Sequence, residues 1–290
     1  MAKTVGEGFR VFHSRLTPTG GQSDAAKKHR ASIETCMKQN FEITRFFRSG
    51  SFGNATSVRG FSDVDYFASI PPKHVRQDSN TMLSVVRSAL DTRFPNTGVA
   101  VRTPAVLVPF GKDRSNWTDV VPARYYKKTD SEDLIYRIAD GDGSWAYASP
   151  SAHQSYVSSI DTKLNKRVKP VIRFLKAWKY YRNVPISSFF LELRVAKYAS
   201  SQKSIVYSID VRTVLKLLWD NQLASVTDPM GISGYVAPCS SDAKKTDALS
   251  KLETALARAQ KARVAETAGR TKDAFSWWDL VFAGHFPAYV

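Results

Sequence analysis

The sequence predicts an α+β fold, in which a lobe built on a mixed β-sheet precedes a helical lobe and a cleft lies between the two. Three observations lead to this prediction. Short apolar runs separated by turn residues dominate the first half of the chain, as in strands. From residue 151 onwards, apolar residues recur at helical spacing. No internal repeat or low-complexity linker divides the 290 residues further, so we expect two domains, over 1–150 and 151–290.

The first half contains helix patterns and several strand patterns. Ser23 is a candidate N-cap for a helix, and Pro71 ends the second strand. Gly53 and Gly60 mark the stretch between the first two strands as a loop. In chain order, we expect a helix over 24–40, a strand over 41–49, a loop over 52–60, a strand over 63–70, a helix over 81–94, and strands over 98–110 and 117–126.

The second half is mainly helical. Residues 151–182 form a long helical pattern in which Pro170 predicts a kink or a break. The last residues, 275–290, are rich in aromatic side chains and are expected to pack back onto the body of the protein. Between these stretches we expect helices over 187–200 and 210–221, a loop over 228–241, and an amphipathic helix over 249–264.

Composition excludes several classes of protein. No apolar run approaches the roughly 20 residues that cross a bilayer, and the first residues lack a secretory signal, so we expect a cytoplasmic protein. Cys36 and Cys239 are too few for a disulfide framework or a zinc site. The net charge of +16 favours a partner that carries phosphate groups.

The segment "SDVDYF" points to metal chemistry. Side chains two residues apart on a strand share one face, so Asp63 and Asp65 present two carboxylates side by side. A divalent cation relieves their repulsion, and Mg²⁺ is usually bound by one or two carboxylates together with substrate phosphates. Asp119, on a later strand, is the candidate third ligand, which would allow two ions about 4 Å apart. An isolated Asp-x-Asp is common on solvated strand edges. Function is indicated by the order of the motifs, in which Gly-Ser follows one strand, Asp-x-Asp lies on the next and an aspartate lies on a later strand.

Gly50 and Ser51 stand at the end of the preceding strand. A glycine lets the backbone approach a phosphate closely, and backbone N–H groups with a serine hydroxyl can bind phosphate oxygens. The twelve-residue step from Ser51 to Asp63 then allows one strand end to hold phosphate and the next to hold metal.

These motifs resemble a known family. "GSFGNATSVRGFSDVDYF" is similar to the nucleotidyltransferase signature, and "DVVPA", "RFLKAWK", "SSFFLE" and "SWWDLVFAGHFP" follow in order. Over residues 24–287 the chain resembles the bacterial cGAS/DncV-like nucleotidyltransferases (CD-NTases), the cyclic-oligonucleotide synthases of CBASS anti-phage systems. The spacer "FGNATSVRG" departs from the more basic or glycine-rich run of many members. The Gly-Ser and Asp-x-Asp motifs alone are shared with poly(A) and CCA-adding polymerases and with oligoadenylate synthases.

The resemblance implies a polymerase beta-like fold and assigns roles to the residues. Asp63 and Asp65 would bind two Mg²⁺ ions, with Mn²⁺ as a substitute. Asp119 would complete the metal site and help to activate the attacking ribose hydroxyl. Gly50 and Ser51 would contact the donor triphosphate.

The helical lobe would complete the nucleotide pocket. By the resemblance, Lys176 of "RFLKAWK" reaches the triphosphate together with Ser187 or Ser188 of "SSFFLE". We expect Lys179 to lie nearer the apolar side of its helix and to matter less. A helix N-cap is the alternative role for both serines.

The implied activity is the synthesis of a cyclic di- or trinucleotide from NTPs, whose product acts on a downstream effector. A template-independent RNA nucleotidyltransferase and a degenerate basic nucleic-acid-binding module are the alternatives. A further hypothesis is activation by structured RNA or duplex DNA bound to a basic surface. For that surface we expect contributions from the helix over 163–182, from Lys244 and Lys245, and from residues 258–263.

Overall fold

The computed structural model describes residues 2–18, 24–61, 64–110 and 116–290. Contacts between residues divide the chain into two compact units that alternate along the sequence. The helical unit consists of Met1–Pro18, Thr56–Phe61 and Ser155–Val290, and the sheet unit consists of Thr19–Ala55 and Ser62–Gln154. The predicted α+β class is confirmed, because one unit is built on a mixed sheet and the other is mainly helical.

The sheet unit is built on a seven-stranded sheet among the described residues. Its main path runs β1-β2-β5-β4-β3, and β6 pairs with both β5 and β7. Strands β2 and β5 are parallel, and the other pairs are antiparallel. The strands are β1 (Arg45–Ser49), β2 (Val64–Ser69), β3 (Ala100–Arg102), β4 (Ala105–Phe110), β5 (Asn116–Lys128), β6 (Leu134–Ala139) and β7 (Trp145–Ala148).

Helices cover one face of this sheet. Tyr66 and Val120 point to that face and pack with apolar residues of α2 (Asp24–Phe41) and α4 (Ser79–Arg93). Phe67 and Val121, one residue further along their strands, point to the other face and pack with Tyr136. Both faces are therefore apolar at the middle of β2 and β5, which explains why these strands read as continuous apolar runs. A short helix, α3 (Gly50–Gly53), follows β1.

The helical unit buries a large apolar core. Phe9 and Phe12 of the first helix pack against Phe174 and against aromatic residues near the C-terminus, including Phe282. The elements are α1 (Val5–Leu16), α5 (Pro150–Lys163), α6 (Val168–Tyr181), α7 (Ser188–Ala199), α8 (Tyr207–Asp220), β8 (Val226–Thr227), β9 (Tyr235–Val236), α9 (Asp242–Thr267) and α10 (Thr271–Val281). Helix α5 begins in the sheet unit, which ends at Gln154.

Several sequence predictions are confirmed. The helix expected over 24–40 is α2, although its proposed N-cap, Ser23, lies outside the described residues. The helices over 81–94, 187–200, 210–221 and 249–264 correspond to α4, α7, α8 and α9. The aromatic tail packs back as expected, with Trp278 and Phe286 buried.

Other predictions were wrong in their limits. The strand expected from residue 41 begins at Arg45, because α2 continues to Phe41. The single strand expected over 98–110 is a hairpin of β3 and β4. The break in the long helical pattern falls at 164–167, where Asn165 and Lys166 have positive φ, so Pro170 sits in the first turn of α6, where a missing N–H costs nothing.

Helix α1 lies within the domain predicted over 1–150 but packs within the helical unit, because its aromatic residues fill that unit's core. The domain limits at 150 and 151, and the cleft between lobes, stay predictions. No helix among the described residues is both long and apolar enough to cross a membrane.

Candidate active site

The site begins with the pairing of three strands. On β2, Asp65 lies beside Ser49 of β1 on one side and beside Asp119 of β5 on the other. Neighbouring strands lie about 4.8 Å apart, and residues in register point to the same face. The carboxylates of Asp65 and Asp119 are therefore adjacent on one face of the sheet. Asp63, the other member of the Asp-x-Asp pair, lies outside the described residues.

Gly50 lies directly against Asp65. A Cβ atom at Gly50 would lie 1.9 Å from Oδ2 of Asp65, and the φ of Gly50 is +57°. Only glycine tolerates both the close approach and this left-handed conformation. The next residue, Ser51, lies in the short helix α3 and is half-buried. The structure thus brings the Gly-Ser turn and Asp65 together, as the sequence predicted.

Asp119 is 6% exposed. Its Oδ2 accepts a hydrogen bond from Nη2 of Arg102 at the end of β3. The Arg102 guanidinium also lies 5.7 Å from the ring centre of Trp117. This cation provides a positive charge beside the carboxylate pair. Sequence reasoning missed Arg102 because its contact with Asp119 depends on the β3–β4 hairpin, which was not predicted.

The donor set fits a hard divalent cation. Asp65 and Asp119 offer carboxylate oxygens from adjacent strands, and such oxygens suit Mg²⁺ better than soft metals. Within the described ranges, no group of three histidine, cysteine, aspartate or glutamate residues could hold a metal by itself. Asp63, which directly precedes Val64 in the sequence, stays the predicted third carboxylate.

Lys176 lies in the interior of the helical unit and is 0% exposed. Its Nζ forms an ion pair with Oε1 of Glu192 on α7 and lies 3.1 Å from Oγ1 of Thr56. The Thr56 hydroxyl also donates to Oε1 of Glu192, at 2.6 Å. The Lys176 ammonium is thus engaged by a buried carboxylate and a hydroxyl.

Lys179 occupies a more open position than Lys176. It is half-buried, and its Nζ lies 2.7 Å from Oγ of Ser188. The expectation that Lys179 lies nearer the apolar side of the helix is wrong, because Lys176 occupies that side. Ser187 is the N-cap of α7, since its side chain accepts a hydrogen bond from the backbone N–H of Phe190 at 3.3 Å.

The mixed sheet, the paired aspartates on adjacent strands and the glycine turn against one of them are the features expected of a nucleotidyltransferase. A model of the Second Messenger Oligonucleotide or Dinucleotide Synthetase (SMODS) domain family matches residues 3–160 of this chain. Since this match spans more than half of the chain, the protein belongs to that family. The CD-NTase resemblance recognised in the sequence is confirmed.

Comparison with known proteins gives the same class. The chain is 25% identical over 181 residues to the "probable cyclic nucleotide synthase" of Bacillus cereus strain VD146, a match that covers 59% of this chain and 52% of that relative. The chain therefore spans about half the length of this curated relative.

Solved structures resemble the whole fold. Escherichia coli MS115-1 CdnC with ATP superposes with a TM-score of 0.73 at 20% identity, covering 98% of this chain and 99% of CdnC. CdnC has also been solved as a complex with HORMA-deltaN, which matches with the same TM-score and identity over 98% of both chains. Vibrio cholerae DncV, a cyclic AMP-GMP synthase, matches with its linear intermediate pppA(3′,5′)pG at a TM-score of 0.67 and 16% identity, over 98% of this chain and 86% of DncV.

Proposed function

We propose that this chain synthesises a cyclic di- or trinucleotide from nucleoside triphosphates and releases pyrophosphate. The observation that carries the proposal is the pairing of Asp65 with Asp119 on adjacent strands, with the backbone of Gly50 against Asp65. Membership of the synthetase family and the nucleotide complexes of CdnC and DncV support it.

In this proposal, Asp65 and Asp119, together with Asp63, hold two Mg²⁺ ions, and Mn²⁺ can replace them. When bound, such ions would stabilise the negative charge that develops on the reacting phosphate. Asp119 helps to take the proton of the attacking ribose hydroxyl. The ribose oxygen forms a bond to the α-phosphorus, and the bond from that phosphorus to the bridging oxygen breaks, so pyrophosphate leaves with the electron pair. Further steps of the same kind, two in all for a dinucleotide and three for a trinucleotide, close the ring.

Phosphate binding is assigned to the Gly50-Ser51 turn, where backbone N–H groups and the Ser51 hydroxyl are available. For the helical unit, we propose that Ser187, Ser188 and Lys179 supply the phosphate contacts. Lys179 and Ser188 already form one hydrogen-bonded group. Lys176 is assigned a structural role instead, because its ion pair with Glu192 is fully buried.

The biological setting is proposed by resemblance. We expect a cytoplasmic role in anti-phage signalling, in which the cyclic product acts on a downstream effector. The CdnC complex suggests a HORMA-type protein as a partner for this chain as well. Within the basic stretch over 163–182, Arg173 and Lys176 are buried, so activation by structured RNA or duplex DNA bound there would depend on Lys163, Lys166 and Arg167, which are exposed.

The proposal is tested with the variants Asp65→Asn and Asp119→Asn. We expect each to lower NTP turnover about 100-fold or more, the scale seen when one electrostatic contact to a transition state is removed. Melting temperatures are measured alongside to establish that each variant is folded, because Asp119→Asn also removes the ion pair with Arg102. Asp91→Asn, an exposed carboxylate on α4, is the matched control and should leave turnover unchanged.

The assay also separates the alternative functions. Each NTP is incubated with Mg²⁺ or Mn²⁺, with and without RNA, and the products are identified by mass spectrometry. Small phosphatase-resistant products support the cyclic synthase, whereas an extended RNA primer would show a template-independent polymerase. Absence of NTP consumption under all conditions, or full turnover by Asp65→Asn, would contradict the proposed function.

A further inference from the structure

A second cluster of functional groups lies on the opposite face of the sheet from Asp65 and Asp119. Arg137 of β6 is in register with Arg124 of β5 and with Tyr147 of β7. Residues 119 and 124 differ by an odd number, so their side chains point to opposite faces of β5. The row of Arg124, Arg137 and Tyr147 is therefore separated from the carboxylates by the sheet itself.

Arg137 packs against two tyrosine rings. Its guanidinium carbon lies 4.8 Å from the ring centre of Tyr126 and 5.2 Å from that of Tyr147, and the two ring centres are 4.9 Å apart. Nη2 of Arg137 donates to the Tyr147 hydroxyl at 2.9 Å. Nε of Arg137 is enclosed and has no hydrogen-bond partner among the described residues.

The cluster borders a wide, open depression in the surface, with a volume of about 570 Å³. Trp145 forms part of the wall and is fixed there, because its indole N–H donates to the backbone carbonyl of Gln77 at 2.9 Å. Asp78 caps helix α4 through Thr81 and holds the wall at the other side. The lining residues are Gln77, Asp78, Arg137, Gly143, Ser144, Trp145 and Tyr147.

Aromatic faces and cations alternate at the exposed side of the cluster. Tyr126 is 44% exposed and Tyr147 is 36% exposed. Nζ of Lys127 lies 5.8 Å from the ring centre of Tyr126, and Arg124 is exposed beside Arg137. This combination of stacking surfaces with positive charges is typical of proteins that bind single strands of nucleic acid.

We propose that the surface formed by Arg124, Tyr126, Lys127, Arg137 and Tyr147 binds single-stranded nucleic acid. A base would stack on the tyrosines or lie in the adjacent depression, and the phosphates would contact the arginines and Lys127. A duplex hides the faces of its bases, so it can use the positive charges but not the rings. The proposal concerns binding alone and does not depend on turnover of NTPs, since the surface lies on the other face of the sheet.

The experiment measures fluorescence anisotropy of labelled 12-nucleotide oligo(U) and oligo(dT), and of a 12-base-pair duplex, at low and at physiological salt. Tyr147→Leu and Arg137→Gln are the test variants. The controls are Tyr125→Leu, which removes a ring on the other face that is 47% exposed, and Lys28→Gln, which removes an exposed charge on α2. Melting temperatures of all variants establish that they are folded.

We expect both test variants to weaken binding of the single strands by about fivefold or more, since loss of one stacked base has an effect of this size. The control variants should bind as the wild type does, and the affinity should fall steeply with salt. NTP turnover without added nucleic acid should be the same in all variants. The proposal is overturned if the folded test variants bind single strands as tightly as the controls, if the duplex binds more tightly than the single strands, or if no binding occurs at low salt.

Discussion

At the scale of single residues, the backbone conformation of Gly50 allows the chain to pass directly against Asp65 in the candidate active site. Its φ of +57° and its contact with the Asp65 carboxylate both require the absence of a side chain. Gly60 offers a matched comparison, because its φ is +81° and nothing lies within 4 Å of a Cβ atom built there. Both glycines therefore have a left-handed backbone conformation, and only at Gly50 would a side chain also collide with a neighbouring residue.

We expect Gly50→Ala to abolish most NTP turnover, because the added methyl group would displace Asp65 from its place beside Asp119. Gly60→Ala should cost about 1–2 kcal/mol of stability, the effect of a left-handed residue with a side chain, and should keep its turnover. Steady-state kinetics and thermal melts of both variants make the comparison. Equal turnover in the two variants would show that the Gly50 contact does not control the site.

At the scale of structural elements, helix α6 is held to α7 and to the 56–58 segment by buried cations. Lys176 pairs with Glu192 and Thr56, and Arg173 donates from Nε to the backbone carbonyl of Ser57 at 3.1 Å. Both cations lie in a sequence that reads as an amphipathic basic helix. The surroundings that enclose them come from distant parts of the chain.

The buried pair is tested by a double-mutant cycle with Lys176→Met and Glu192→Leu. Each single variant leaves a buried charge without its partner and should lose about 3–5 kcal/mol of unfolding free energy. The double variant should lose less than the sum of the two, because no uncompensated charge remains. The exposed pair Lys216 and Asp220 on α8 is the control, and the same cycle there should give about 0–1 kcal/mol.

Chemical denaturation provides these free energies of unfolding, and the KM for NTP is measured as a second quantity. If Lys176 instead contacted the triphosphate, Lys176→Met would keep its stability and raise the KM for NTP. If, in addition, the losses of unfolding free energy of the two single variants simply added up in the double variant, Lys176 would be a phosphate-binding residue, as the sequence predicted.

The elements also show what the sequence could and could not predict. Strands β2 and β5 and helix α2 have strong local patterns and were found, as was the Gly50, Asp65 and Asp119 set. Helix α1 was missed, although Thr4 and Glu7 form a capping box that is visible in the sequence. The contact of Arg102 with Asp119 and the burial of Lys176 follow from pairings between distant segments, which no local pattern reports.

At the scale of the whole molecule, the net charge of +16 makes the fold sensitive to acid. Protonation of carboxylates raises an already large positive charge, and self-repulsion opposes the compact state. The buried groups add a specific effect. Nε2 of His13 on α1 lies 2.7 Å from Nη1 of Arg173, and because arginine is always a donor, this nitrogen of His13 must accept and the ring must be neutral.

Burial and the neighbouring Arg173 lower the pKa of His13 to about 4, whereas the unfolded value is about 6.5. Between these values the unfolded chain binds a proton that the folded chain does not, so stability falls as the pH drops from about 6.5 to about 4. We expect melting temperatures to decrease through this range, and to decrease less in His13→Gln, whose amide oxygen can still accept from Arg173. His74→Gln, which changes a histidine beside the exposed Glu42, is the control. An identical loss of melting temperature in wild type and His13→Gln would show that the acid sensitivity comes from the overall charge alone.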